Sequence, residues 1–182
     1  MNVTLCNSEE ELQGIIKLQR TNLPNNISAN EAIEQGFVTV EHSLDVLKRM
    51  NDVHPHVIAK FNDEVVGYTL VMTKEFRNEI PVLIPMFKMI DELNFENKPL
   101  SSQNYFVMGQ VCIAKHFRGV GLFDNLYESL KFHLRSFFEL CVTEVASRNV
   151  RSIKAHERVG FKTTHIYTDM RGEEWKIMIW KW

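Results

Sequence analysis

Apolar and polar positions along the chain follow two rhythms, and each change of rhythm marks an element. Residues 2–6, NVTLC, alternate with a period of two and predict a short strand. Ser8 followed three residues on by Glu11 forms a capping box, and Leu12, Ile15 and Ile16 then share one helical face. The stretch LPNNISAN is a loop, and SLDVLKRMN is a short helix capped by Ser43. Two apolar runs around Asn62-Asp63, in HVIAKFNDEVVGYTLVM, predict a hairpin. YFVMGQVCIA reads as a strand, after which Leu122, Leu126, Leu130, Leu134 and Phe137 keep a helical face through Phe138. LCVTEVA is a largely apolar strand of the kind that sits centrally in a sheet. NVRSIKAHERVGF is a helix ended by Gly160. KTTHIY and WKIMIWKW close the chain as strands, and the tryptophan-rich second one suits either an inner strand or a dimer edge, so a homodimer stays open.

Residues 73–104 break this order. They hold three prolines and one helical patch, with Met86, Met89, Ile90 and Leu93 at helical spacing. The segment reads as an insertion between strands, serving either a functional site or the cover of a sheet edge. The whole order is strand, two helices, three strands, helix, strand, helix, two strands. That predicts a mixed α/β sheet and not a regular doubly wound one.

Composition narrows the classes. A length of 182 residues suits one domain, residues 1–182, carrying that insertion. With 45% hydrophobic and 24% charged residues, the chain has the material for a core and reads as soluble and globular. A formal net charge of -2, without any basic run of five, excludes a general nucleic-acid binder. Cys6, Cys112 and Cys141 are odd in number and far apart, with no CxxC pair, which argues against a zinc or redox motif and for buried thiols in a reducing compartment. His42, His54, His56, His133 and His165 show no metal-ligand spacing, so no metal is expected. The first ten residues, MNVTLCNSEE, do not resemble a signal peptide, and no apolar run reaches membrane-spanning length. The expectation is a cytoplasmic protein that uses neither membrane nor nucleic acid.

The candidate chemistry starts at RGVGLFD, residues 118–124. A helix beginning near Gly119 leaves its first backbone N–H groups without internal partners, at the positive end of the helix dipole. Such an end binds phosphate, and two residues without Cβ let an anion come close to the amides. Arg118 adds a fixed positive charge. A P-loop would need Lys-Ser or Lys-Thr after the glycines, and a dinucleotide fingerprint would need glycine where Asp124 stands. By itself the stretch reads equally well as a plain glycine turn.

A second motif, NVRSIKAHERVGF from Asn149, carries an asparagine, a small residue three on, a ring residue four further, and a terminal Gly-Phe on one helix. Together the two motifs resemble those of the GNAT N-acetyltransferases, which pair R/Q-x-x-G-x-G/A with N-x-x-A/S-x-x-x-Y-x-x-x-G-F across one strand. Arg118, Gly121, Asn149, Ser152, Gly160 and Phe161 occupy the matching positions, within residues 105–161. Phe123 replaces a preferred small residue, His156 replaces a tyrosine, and Lys115 stands where proline is common.

The resemblance implies an α/β fold with a mixed, mostly antiparallel central sheet, a parallel, splayed central strand pair and flanking helices. It also implies acetyl-CoA, or another acyl-CoA, as co-substrate. Gly119, Val120, Gly121, Leu122, Phe123 and Asp124 would hold the pyrophosphate beside Arg118. Val111, Cys112 and Ile113 would run along the pantetheine arm, in the split between QVCIA and CVTEV, and Asn149 would bond that arm or fix the loop beside it. His156 takes the position of the acid, or simply packs beside the cofactor. Glu144 takes the position of a base, or orders the strand end. Gln110 stands where other members carry a catalytic glutamate and cannot take a proton. Cys112 has no histidine partner, so direct attack by the amine is expected instead of an acyl-cysteine. Tyr105 and Tyr127 are packing residues.

The acceptor site is expected from GFVTVEHSLDVL and the 73–104 insertion, where Phe37, Phe76, Met86, Phe87 and Met89 either line a partly apolar pocket or pack the insertion. A small-molecule amine or amino-acid-like acceptor is the first expectation, with a protein amine as the other. The alternative to an acyl-CoA-dependent N-acyltransferase is a catalytically inactive acyl-CoA-binding module.

Overall fold

The computed structural model describes residues 1–26, 38 and 40–182. Its elements run β1 (Asn2–Leu5), α1 (Glu9–Thr21), α2 (Leu44–Val53), β2 (Val57–Phe61), β3 (Glu64–Met72), α3 (Ile84–Glu92), β4 (Asn94–Phe95), β5 (Lys98–Pro99), β6 (Tyr105–Ile113), α4 (Leu122–Leu134), β7 (Leu140–Ala146), α5 (Val150–Val159), β8 (Lys162–Thr168) and β9 (Glu174–Lys181). Seven strands form one sheet in the order β1-β2-β3-β6-β7-β9-β8, and β4 and β5 form a separate two-stranded ribbon. β6 and β7 are parallel, while β1–β2, β2–β3, β7–β9 and β9–β8 are antiparallel. The mixed sheet expected from the element order is therefore present, and it is mostly antiparallel, as the family resemblance implies. The parallel register covers three pairs, Tyr105–Leu140, Phe106–Cys141 and Val107–Val142, although the strands are 9 and 7 residues long.

The chain divides into two compact units, Met1–Val71 with Met108–His133, and Met72–Val107 with Leu134–Trp182. In the first unit α1 starts as its sequence dictates. Ser8 Oγ accepts from the Glu11 amide at 3.2 Å, and the Glu11 carboxylate reaches back to accept from the Asn7 amide at 2.8 Å. Leu12, Ile15 and Ile16 are buried along its inner face. The β2–β3 turn places Asn62 and Asp63 at φ 48 and 63, the left-handed pair that suits the twist of a two-residue hairpin. α4 crosses β3 at Gly67, where a Cβ would stand 3.4 Å from Leu122 and Leu126. α4 starts at Leu122, not at Gly119, and ends at Leu134 instead of running on to Phe138.

In the second unit β9 lies between β7 and β8, so the tryptophan-rich tail is an inner strand. α5 ends at Gly160 with φ 119, and a Cβ there would stand 2.5 Å from the Trp180 indole nitrogen. The insertion packs around α3, with Met86, Phe87 and Ile90 buried. Arg77 and Asp91 close an ion pair at 2.6 Å, and Lys74 donates to the Ser101 and Gln103 carbonyls while lying over the Tyr105 ring. The β4–β5 ribbon inside it was not expected from the sequence; its turn sets Glu96 and Asn97 at φ 51 and 63. Phe76, Met86 and Phe87 are buried within the unit, while Phe37 lies outside the described residues.

Candidate active site

The glycine stretch is a loop whose conformation only glycine adopts cheaply. Gly119 and Gly121 have φ 78 and 80, left-handed values that cost other residues about 1–2 kcal/mol. A Cβ at either position would meet nothing within 4 Å, so the loop is open to a ligand. The first α4 hydrogen bond is Asn125 N–H to the Gly121 carbonyl at 3.2 Å, so the amides of Leu122, Phe123 and Asp124 precede the helix's own ladder. This is a cradle of main-chain donors with the shape and sign for a phosphate group.

Arg118 plays a different part from a free cation beside the cradle. Its Nε donates to the Ile113 carbonyl at 2.9 Å, and its Nη2 donates to Asn22 Oδ1 at 2.7 Å. It thereby ties the loop to the end of β6 and to the last turn of α1. Phe123 stacks on Tyr127, with ring centres 4.7 Å apart, so its bulk is laid along α4. Tyr127 and Tyr105 are both buried packing residues. On β6, Cys112 is buried, and burial pushes its thiol up to about 12, which leaves it protonated and a poor nucleophile.

Gln110 uses both ends of its amide. Its Oε1 accepts from the Tyr68 hydroxyl at 2.5 Å and its Nε2 donates to the Val40 carbonyl at 2.9 Å. The stretch after the undescribed segment is held the same way. Gln19 accepts from the His42 amide at 3.0 Å, and Gln19 Nε2 lies 3.0 Å from His42 Nδ1.

The second unit carries the titratable candidates. Asn149 caps α5, its Oδ1 accepting from the Ser152 amide at 3.1 Å. His156 is buried, its ring edge-on to Phe161, with Nδ1 2.7 Å from the Ser152 carbonyl. A carbonyl only accepts, so the proton sits on Nδ1. Burial pulls the His156 pKa down to about 4 and keeps the ring neutral.

Glu144 is half-buried on β7, and burial pushes its carboxyl up to about 7. Two neighbours act on it in opposite senses: the Tyr167 hydroxyl donates to it and favours the ionised form, and Asp169 repels that charge. Tyr167 escaped the sequence reading, because its approach to Glu144 depends on the register of β8 and β9.

Glu144 and His156 lie on opposite faces of the β7–β9–β8 sheet. Glu144 pairs with Ile177, whereas Cys141 pairs with Trp180, and partners share a face. Ile177 and Trp180 are three apart and so point to opposite sides. Gly160 and Phe161 pack on Trp180, which places His156 on that side. Tyr167 pairs with Trp175, on the Glu144 side.

Comparison with known proteins agrees with the fold. A ribosomal-protein-alanine N-acetyltransferase from Brucella melitensis superposes over 100% of both chains, with TM-score 0.65 and 15% identity. The Salmonella typhimurium protein yncA, solved with its cofactor acetyl-CoA, superposes over 99% of this chain and 92% of its own, with TM-score 0.64 and 15% identity. The ribosomal-protein-S18-alanine N-acetyltransferase of Escherichia coli does so over 99% and 92%, with TM-score 0.61 and 12% identity. No curated protein sequence matches at a significant level. The profile of the acetyltransferase (GNAT) family matches residues 19–161, most of the chain and both motifs, and the protein therefore belongs to that family.

Proposed function

We propose that this acetyl-CoA-dependent N-acetyltransferase acetylates a primary amine by direct attack, with Glu144 accepting the amine proton. The observation that carries the reading is the open left-handed turn at Gly119 and Gly121, which delivers the first amides of α4 to an incoming phosphate. Bound acetyl-CoA supplies an acyl group activated as a thioester. Residues 119–124 would hold its pyrophosphate, Arg118 would keep that loop in shape, and the backbone of Val111, Cys112 and Ile113 would run beside the pantetheine. An N–H of that strand, at Cys112 or Ile113, would polarise the thioester oxygen. Asn149 serves by fixing the turn ahead of α5 through its bond to Ser152.

At pH 7 an alkylamine with a lysine-like pKa is only about one part in 10³ neutral. A carboxyl that titrates near 7 is both ionised enough to take the proton and basic enough to be useful. His156 suits packing better than acid catalysis, since its one ring proton is committed to Ser152 and its pKa has fallen. An alkyl thiolate of pKa ~8.5 is a competent leaving group without an internal acid.

A small amine or amino-acid-like molecule is the favoured acceptor. The protein acceptors named for the Brucella and Escherichia enzymes justify adding peptide N-termini to the trial. One observation favours the alternative, an inactive acyl-CoA-binding module: Gln110, engaged with Tyr68 and Val40, leaves its position on β6 without a carboxylate. The experiment is a panel of amines, amino acids and peptides with acetyl-CoA, with free thiol followed by a dye. Amine-dependent thiol release supports transfer. Calorimetric binding with no release on any amine selects the module, and no binding at millimolar coenzyme A ends both readings.

A further inference from the structure

We propose that Tyr167 is the positioning residue for Glu144, its phenol O–H reaching across β9 to fix the carboxylate assigned above as the base. The inference rests on the assignment of Glu144 as the base and names the group that makes it one.

The geometry starts from register. Glu144 pairs with Ile177, and Ile177 pairs with His165, so these three residues form one row across β7, β9 and β8. Tyr167 is two residues further along β8 and shares that face. Two strand spacings, about 10 Å, separate β8 from β7, and a tyrosine meeting a glutamate on a diagonal spans them. The Tyr167 ring also stacks on His165, with centres 6.4 Å apart and planes 22° apart, which restricts its swing.

This arrangement exists because β8 carries a bulge. Lys162 and Thr163 pair with Ile179 and Met178, but from His165 onward the register has moved by one. The extra residue is Thr164, whose hydroxyl donates to the Ile177 carbonyl at 3.2 Å. Were Thr164 paired in the ladder instead of bulged out of it, Tyr167 would stand opposite Glu174, two-fold alternation would turn its ring to the other face, and Glu144 would lose its donor. Among the described residues, the titratable groups acting on Glu144 are Tyr167 and Asp169. Asp169 is itself held by the Arg171 side chain, the Trp175 indole N–H and the Glu173 amide. That leaves Tyr167 as the group that donates to the Glu144 carboxylate, favouring its ionised, proton-accepting form.

The test is Tyr167→Phe, which keeps the ring and removes the donor, read by the pH profile of kcat/KM and by carboxyl carbon-13 NMR of Glu144. The unaltered protein should show an acid limb and a Glu144 midpoint near 7. In the variant both should rise by about one pH unit, a roughly tenfold loss of kcat/KM well below the limb, with acetyl-CoA affinity unchanged. A limb and midpoint that stay in place overturn the inference. Glu144→Gln separates this from failure of the parent reading. If that variant keeps both the rate and the limb, Glu144 is not the base and the inference falls with it. If it abolishes the limb while Tyr167→Phe leaves it unmoved, only the role of Tyr167 is lost. The NMR midpoint reports on the pair even where no amine is turned over.

Discussion

At residues 121 and 160 the chain uses the same amino acid for two different ends, and substitution should tell them apart. Gly121 needs its positive φ, and nothing stands near its Cβ position. Gly121→Ala should therefore cost about 1 kcal/mol of backbone strain, while a distorted amide cradle weakens acetyl-CoA binding roughly tenfold or more, as read by calorimetry. Gly160 has positive φ and also the Trp180 indole 2.5 Å from where a Cβ would be. Gly160→Ala adds a steric cost to the strain, about 2–4 kcal/mol in all. Urea unfolding should show the larger stability loss at 160, and calorimetry the larger affinity loss at 121. The reverse order would contradict the division between an open turn for a ligand and a closed turn for packing. Both glycines were legible in the sequence as the ends of helices. The reason for each was not, because the neighbour at 160 is twenty residues away along the chain.

Local signals predicted the elements well, since each rests on residues close in sequence. The capping box at Ser8, the Asn62-Asp63 turn and the glycine end of α5 all fold where their chemistry demands. Relations between elements were not written there. The turn of Arg118 back to Asn22, the use of Gln110 as a bridge and the bulge at Thr164 each depend on partners brought together by the sheet. The bulge offers a test at this scale. Deleting Thr164 should make the ladder continuous while leaving His165 opposite Ile177 and Tyr167 opposite Trp175, so Tyr167 keeps its place on the Glu144 face. The acid limb of kcat/KM should then stay where it is in the parent protein, unlike in Tyr167→Phe. Circular dichroism matching the parent's, with a limb that rises as in Tyr167→Phe, would show that the pairing beyond the bulge is not what holds Tyr167 beside Glu144.

At the scale of the molecule, the buried titratable groups set how stability depends on pH, and they do not all pull the same way. Burial holds His42 and His156 down to about 4 and His56 to about 3, with His42 also repelling charge on His56. In an unfolded chain each would titrate near 6.5. Their contribution is thus complete above pH 6.5 and is lost as pH falls from there towards 4, because the unfolded state takes up protons that the folded state refuses. Glu144 has the opposite sign. Its folded pKa lies above the ordinary carboxyl value, so the folded state holds the extra proton, and stability falls as pH rises from about 4.5 to 7. Near pH 5.5 the three histidines outweigh the one carboxyl, leaving a net uptake of about two protons on unfolding, or ~2–3 kcal/mol of stability per pH unit. Urea titrations should therefore show the protein weakening steeply from pH 6.5 to 5, and Glu144→Gln, which removes only the opposing term, should steepen that slope. A stability that is flat across this range would mean that these imidazoles are solvated and chargeable in the folded state. The Glu144 carboxyl is then a local cost within a fold whose buried histidines favour neutral pH, the same range in which that carboxyl itself titrates.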